Sequence, residues 1–507
     1  MAPTLHPFLQ HQLELYELLQ QLHQQQPELA LHWRAPGPGL LKRHLANLPR
    51  LRWVPEADCH LLVAPAQELL SNPPQIPRPL LLSDPFPVNP QALTALLLLG
   101  YRSPASSRLL EPLHREITPN AGLRILVLTN LYPPQELGGY GRSIFDFANH
   151  LRLLGHNVQV LSSNAPYLDG DTSLDQQVDR GLLLLGSYEG GLHPITDPQE
   201  RERRTQHNRQ RLQMQIQAFQ PQACLVGNLD MVGPEPLHQL SHHRIPCWHH
   251  HGFSQAAFPA DQLPSPALYQ PVANSHFSAR AIANQLPAFA PIPVIYPGAQ
   301  THLFSSLNPT PLAEGLRIGF AGLLIGAKGA HVLLEALHIL KQQQVSFECV
   351  LAGGSLFDDY PRQLEQYVEQ QGLSAQVRFV GKLERHQLRS FFEQCNVFVF
   401  PSTWEEPFGI SQVEALAAGL LVVSSGTGGA GETVHDDING RRFQPSNSSD
   451  LAQVLADISR NPQLHEPLRK RGRQIAQSHF DTGRETTKLA ALIHAGVYKS
   501  PASTLFV

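Results

Sequence analysis

Apolar residues follow two rhythms along most of this chain. Short apolar runs bounded by Gly, Pro, Asn or Ser alternate with longer stretches in which apolar positions recur every third or fourth residue. The first rhythm predicts strands at RILVLTN, NVQVLSS, ACLVGN, PCWHH, PVANS and PVIYPG. After a polar connector over 305–315 it restarts at RIGFAG, FECVLAG, VRFVG, NVFVFPS and LLVVSSG. Strands that alternate with helices in this way predict parallel sheets covered by helices on both faces. Two such α/β units in series imply a cleft between them, where ligands are commonly bound.

The first 122 residues read differently. They are rich in Leu, Gln, Pro and His; the segment LHPFLQHQLELYELLQQLHQQQ has its apolar residues at helical spacing, while HLLVAPAQELL and RPLLLSDPF read as strand-helix fragments. An N-terminal extension over 1–122 is therefore expected, folded as a small α/β domain and joined to the core by a linker over 118–122. At 507 residues the chain exceeds what a single core organises. The expected division continues with α/β domains over 123–305 and 306–475 and a final helix over 476–498.

Composition narrows the function classes. A formal charge of -4 gives no footprint for nucleic acid. The five cysteines, Cys59, Cys224, Cys247, Cys349 and Cys395, are scattered and include no Cys-x-x-Cys pair, which predicts reduced core thiols. No basic segment followed by an apolar core and a cleavage site marks the start, and the longest apolar run, near Leu96 to Leu99, is too short to span a bilayer. The expected location is cytoplasmic, with peripheral contact at the inner face of a membrane as an open alternative.

The chemistry concentrates in EPFGISQVEALAAG, from Glu406 to Gly419. NVFVFPS reads as a strand, Pro407 and Gly409 break regularity, and Ile410, Val413, Leu416 and Ala417 restore helical spacing. Glu406 thus falls in the loop at a strand's carboxyl end and Glu414 about one turn into the next helix. In parallel sheets that edge binds ligands, and free amides at a helix start favour phosphate. Two carboxylates beside a phosphate suit a nucleotide sugar, whose hydroxyls need acceptors. The plain alternative is a loop charge and a solvated helix residue.

Three further blocks change the odds. Gly428-Gly429, Glu432 and the Asn439-Gly440 turn follow LLVVSSG; RILVLTNLYPPQELGGYGRSIFDFANHLRLLGHNVQVLSS carries Gly138-Gly139, Ala148, Leu151, Gly155-His156 and Val158; RIGFAGLLIGAKGAHVLLEAL carries Lys328-Gly329. In this order the blocks resemble retaining glycosyltransferases of the GT-B fold, family four, also called glycosyl transferases group one. The likeness runs over roughly residues 123 to 495. It implies two Rossmann-like domains with parallel sheets facing across a cleft, the first binding the acceptor and the second the nucleotide-sugar donor, with the final helix crossing back to the first. It implies roles for Lys328 on the donor diphosphate, Glu414 on the ribose hydroxyls, Glu406 with the backbone of Pro407, Phe408, Gly409 and Ile410 around the hexose, and Gly138 and Gly139 at the phosphates. Two positions depart from the family: Leu323 stands where a basic residue often follows the glycine, and Gly252 where Asp often follows a histidine.

That histidine lies in SHHRIPCWHHHG. Alternation puts His249 and His251 on one face of a strand and His250 on the other, and no thiol or carboxylate cluster completes a metal shell. His251, with His250 in reserve, is the expected donor to a sugar hydroxyl; a buried structural histidine is the plain alternative. Asp169-Gly-Asp171 matches a metal-binding signature of the other major glycosyltransferase fold, but its polar setting reads as a turn. Arg201, Arg203, Arg204, Arg209 and Arg211 load one helix, a solvated face or a contact for anionic lipid or a charged acceptor.

The expected function is transfer of a sugar from a UDP- or GDP-linked donor to a glycan, lipid-linked or small-molecule acceptor with retention. The catalytic set is Glu406, Lys328 and His251, no metal or cofactor is required, and the nucleotide sugar is the co-substrate. A non-catalytic nucleotide-sugar-binding or scaffold protein and a nucleotide-sugar epimerase on the same fold are the rivals.

Overall fold

The computed structural model describes residues 122–168, 178–355 and 359–499, together with the backbone of four short strands before them. Those strands, β1 (Ala30–Trp33), β2 (Arg52–Trp53), β3 (Leu61–Ala64) and β4 (Leu80–Leu82), form a parallel sheet of order β2-β1-β3-β4. The predicted amphipathic segment near the start and Asp169-Gly-Asp171 lie outside the described residues.

From Gly122 onward the chain is one compact unit containing two parallel sheets of six strands. The first comprises β5 (Arg124–Leu128), β6 (Asn157–Ser163), β7 (Val178–Leu182), β10 (Ala223–Val226), β11 (Cys247–His251) and β12 (Tyr269–Ala273), in the order β12-β11-β10-β5-β6-β7. A two-residue hairpin pair, β8 (Gly186–Ser187) and β9 (His193–Pro194), lies between β7 and β10 in sequence. The second sheet comprises β13 (Leu316–Ala321), β14 (Phe347–Ala352), β15 (Val377–Phe379), β16 (Val397–Phe400), β17 (Leu421–Ser424) and β18 (Arg441–Arg442), in the order β15-β14-β13-β16-β17-β18. In each sheet the chain winds outward from a central first strand and then reverses, so a crevice opens beside that strand's carboxyl end.

Alternating side chains explain why these runs become buried strands. Ile125 and Val127 join one apolar cluster with Ile144 and Phe147, while Leu126 and Leu128 join the cluster on the opposite face. Fully burying each such side chain contributes about 1.5–3 kcal/mol relative to exposure. The final helix, α11 (Thr482–Lys499), places Leu489, Ala490 and Ile493 in the first sheet's cluster, against α1 (Gly139–Leu153).

One predicted strand does not form. PVIYPG makes only an isolated bridge, Ala273 with Val294, because Pro293 and Pro297 supply no amide to a ladder. The sixth strand of the first sheet is instead the polar edge segment VDRGL, whose half-buried residues carry no clear apolar alternation. In the second sheet the two-residue edge strand β18 was likewise not expected from the turn chemistry of INGRR around Asn439 and Gly440.

Candidate functional site

The Lys328 turn follows β13, and the Glu406 loop follows β16, so both adjoin the crevice between those neighbouring strands. Gly329 is what lets them meet: it has φ 73°, and a β carbon there would overlap the carbonyl oxygen of Pro401. Thr403 N donates to the Ala327 carbonyl at 2.9 Å, clamping the turn to the end of β16, and Ser402 Oγ lies 2.9 Å from the same carbonyl. Lys328 Nζ then donates to Glu406 Oε1 at 2.6 Å, and Ser402 Oγ to the same oxygen at 2.7 Å. The Glu406 side chain is 3% exposed and that of Lys328 22%. Lys328 Nζ also stands 5.5 Å from the centre of the Trp404 ring.

Glu406 is held from the other side by the second glycine pair. Gly429 N donates to the Glu406 carbonyl at 2.6 Å, and a β carbon on Gly429 would overlap the Pro407 carbonyl oxygen. Gln412, completely buried in α8 (Ile410–Ala418), donates to the Ala430 carbonyl at 3.0 Å and to Thr433 Oγ1 at 2.6 Å and accepts from Ser424 Oγ at 2.9 Å. This satisfied network fixes the turn 428–433 against the helix. Helix α8 starts after Gly409 with no side chain capping its amides, so those donors remain directed at the crevice.

Glu414 is also buried and makes no hydrogen bond among the described residues. Burial pushes its carboxyl above the usual range, opposed by Arg142 and Arg385. Sequence reasoning missed those arginines and their partners. Arg385, at the start of α7 (Arg385–Glu393), forms a two-pronged pair with Asp146 of α1, 2.7 Å on each prong, and Gln300 Nε2 reaches Asp146 Oδ1 at 2.8 Å. Arg142 pairs with Glu136 at 3.0 Å. The only local signal was Asp146 on an otherwise apolar helix face; its partner lies 239 residues away.

The two sheets face one another at this point. Gly138, in the turn before α1, and Gly139, the first residue of α1, are both exposed. A β carbon on Gly139 would stand 3.0 Å from Ile410 Cδ1, and one on Gly138 would stand 3.8 Å from Leu323 Cδ1. A second contact between the domains is made by Glu432, which accepts from His276 N at 3.0 Å, Phe277 N at 2.7 Å and the Tyr296 hydroxyl at 2.9 Å. The structure thus brings Gly138, Gly139, Lys328, Glu406, Pro407, Phe408, Gly409, Ile410 and Glu414 to one cleft, with Phe408 buried in the core beneath it.

The histidines lie in the first sheet. His249 and His251 rings are 4.3 Å apart on one face, and His250 packs against Phe147 at 5.1 Å on the other. His251 Nδ1 lies 2.9 Å from the His249 carbonyl, while its buried Nε2 has no partner among the described residues. Burial lowers His250 and His251 to about 4, so both rings are neutral at pH 7. Gly252 has a structural cause: a β carbon there would overlap the Tyr140 ring, which occupies that space. Among the described residues no group of three potential metal-ligating side chains converges, and no helix is long and apolar enough to cross a membrane. On α2 (Pro198–Phe219), Arg203 and Arg204 pair with Glu200, and Arg211 with Asp179.

The family model described as glycosyl transferases group 1 matches residues 311–475, which hold all of β13 to β18 and the Lys328, Glu406 and Glu414 positions. This segment is similar to the glycosyl transferases group 1 family. An uncharacterized glycosyltransferase of Methanocaldococcus jannaschii is 28% identical over 159 residues, 31% of this chain and 42% of that protein, so the match spans less than half of that relative. Glycogen synthase of Mycobacterium tuberculosis is 24% identical over 385 residues, 71% of this chain and 91% of that protein. Among solved structures, Anabaena HepE in complex with UDP and glucose superposes with TM-score 0.57 and 22% identity, covering 74% of this chain and 100% of that one. The two facing Rossmann-like domains of this chain are the GT-B fold.

Proposed function

We propose that the protein moves a hexosyl group, with retention, from a UDP- or GDP-linked sugar to a hydroxyl of a glycan, lipid-linked or small-molecule acceptor bound in the cleft. The observation that carries this reading is the Lys328 and Glu406 pair beside the uncapped start of α8, with the unbonded Glu414 carboxylate in that same helix. A diphosphate needs cations and amides, and a ribose needs an acceptor; this crevice supplies all three. The complex of HepE with UDP and glucose supports the donor class by fold likeness.

In the proposed step the bond between the anomeric carbon and the diphosphate oxygen breaks, and its electron pair stays on the departing phosphate. The acceptor oxygen forms the new bond on the same face, and its proton passes to the departing oxygen. Lys328 and the α8 amides stabilise charge as it develops on that phosphate, Glu406 orders the hexose and Lys328 together, and His251 donates to a sugar hydroxyl. The nucleotide sugar is the co-substrate and no metal or cofactor takes part.

Two measurements test this. Glu414→Ala should weaken nucleotide binding at least tenfold in calorimetric titration with little change in melting temperature, because the lost group made no hydrogen bond within the protein; unchanged affinity would sink the ribose assignment. Treatment with EDTA should leave turnover within twofold of the untreated enzyme. Loss with chelator and recovery on adding a divalent ion would contradict the metal-free reading. Nucleotide binding without turnover on a broad acceptor panel would favour a scaffold protein, and an altered sugar formed without acceptor would favour an epimerase.

A further inference from the structure

At the carboxyl edge of the first sheet, Asp230 is pinned although it is exposed to solvent. Its Oδ1 accepts from the Tyr188 hydroxyl at 2.5 Å, from Asn130 Nδ2 at 2.6 Å and from Met231 N at 2.8 Å. Asn130 Nδ2 also reaches the Tyr188 hydroxyl at 2.5 Å, so the three side chains brace one another. Tyr188 in turn is tied through its amide to the Tyr167 hydroxyl at 3.1 Å. All three bonds to the Asp230 carboxylate fall on Oδ1; Oδ2 accepts none among the described residues. An exposed carboxylate normally gains little from being immobilised, since ordering costs side-chain entropy that solvent contact does not return. Pre-positioning of that kind is what a binding group needs.

The position of this carboxylate fits a role at the cleft. Asn130 follows β5 and Asp230 follows β10, the two strands flanking the first sheet's crevice. Tyr140, directly after Gly138-Gly139, lies close enough to Asp230 for that charge to push its phenol up, after burial as the larger cause. Tyr140 also meets Phe253, with ring centres 6.2 Å apart. Phe253 follows β11 at the same edge and is 50% exposed, so its ring face is open to a ligand. An exposed aromatic face and a fixed hydrogen-bond acceptor, following the neighbouring strands β11 and β10 at one sheet edge, match a ligand with one apolar face and hydroxyls on its rim.

We propose that Asp230 and Phe253 form the acceptor subsite and select an uncharged sugar ring, one hydroxyl donating to Asp230 Oδ2 while the C–H face of the ring lies on Phe253. The proposal rests on the transferase reading above and specifies the acceptor class. The fixed negative charge disfavours uronates and phosphorylated sugars, which would bring a second anion against it. Neutral hexosides meet no such penalty.

Saturation-transfer NMR on the full chain with UDP present tests it, using methyl glucoside, galactoside and mannoside alongside methyl glucuronide. At least one neutral glycoside should give ring-proton signals that fall fivefold or more in both Asp230→Leu and Phe253→Ala, with the glucuronide weaker than its neutral counterpart. Asp230→Asn, which keeps the shape and loses the charge, should narrow the gap between glucoside and glucuronide at least threefold. Signals that persist in both variants, equal binding of glucuronide and glucoside by the parent, or no glycoside signal at all would overturn the proposal. Melting curves with UDP and GDP, run in parallel on each variant, separate the two readings: glycoside binding lost at Asp230 with no stabilisation by any nucleotide would leave the subsite standing and refute the donor assignment.

Discussion

Lys328→Ala is expected to lower turnover about a hundredfold or more at saturating donor, the loss typical of removing one preorganised electrostatic donor from a reacting centre. Leu323 leaves this ammonium without a basic neighbour at the turn, so charge developing on the diphosphate falls chiefly on Lys328 and the α8 amides. The structure adds a second consequence. Glu406, 3% exposed, would keep only Ser402 as a partner for Oε1. Stranding a buried carboxylate is destabilising, by up to about 3 kcal/mol here because Lys328 itself is partly solvated and the pair is screened to that extent. Lys328→Ala should therefore melt earlier as well as turn over more slowly. Adding Glu406→Gln removes the stranded charge, so the double variant should recover melting temperature without recovering turnover. Single-turnover rates on both, with Lys328→Arg as the variant that keeps charge and alters reach, separate chemistry from folding. Parent-like rates in Lys328→Ala and Lys328→Arg would show that the lysine is a surface residue and that the donor-site assignment is wrong.

Acidification should destabilise the protein steeply between about pH 6.5 and 4. Burial holds His156, His250 and His251 down at about 4, and His249 well below its ordinary value. Each folded-state value is depressed, so within that window the unfolded chain binds protons that the folded chain refuses. The stability these rings contribute is complete above pH 6.5 and is lost as the pH falls through the window. Each such group contributes a slope of up to about 1.4 kcal/mol per pH unit. Glu136, Glu414 and Glu485 work in the opposite sense, because burial raises their carboxyls and the folded chain takes up protons first. The histidines outnumber them and are more strongly shifted, so the net effect is loss. Urea titrations from pH 7 to 4.5, with calorimetry in buffers of different ionisation enthalpy, should show net proton uptake on unfolding at pH 5. A flat stability profile across that range would mean that the histidine run is not buried in its neutral form.

The burial of those rings shows how much weight a strand pattern carries. Period-two alternation was enough to put His249 and His251 on one face and His250 on the other, because a pleated strand admits no other arrangement. It gave no measure of depth. That Tyr140 covers the end of this strand and excludes a β carbon at Gly252 follows from α1 packing across it, and the two residues are 112 positions apart.

By itself the sequence determined the two parallel α/β sheets, the loop and helix positions of Glu406 and Glu414, and the pairing of Lys328 with a glycine, since periodicity and turn residues are local and survive without knowledge of neighbours. It misplaced an edge: PVIYPG has apolar residues but too few amides for a ladder, and VDRGL has amides but no apolar pattern. Only the tertiary structure decided that Gly329 must lie against Pro401, that Lys328 is already joined to Glu406, and that Arg385 reaches Asp146 across the cleft. The physical reason is the same in each case. An ion pair or a close backbone approach depends on the partner's position in space, and for these residues the partner is supplied by a strand end or a helix of another unit, dozens to hundreds of residues away in the chain.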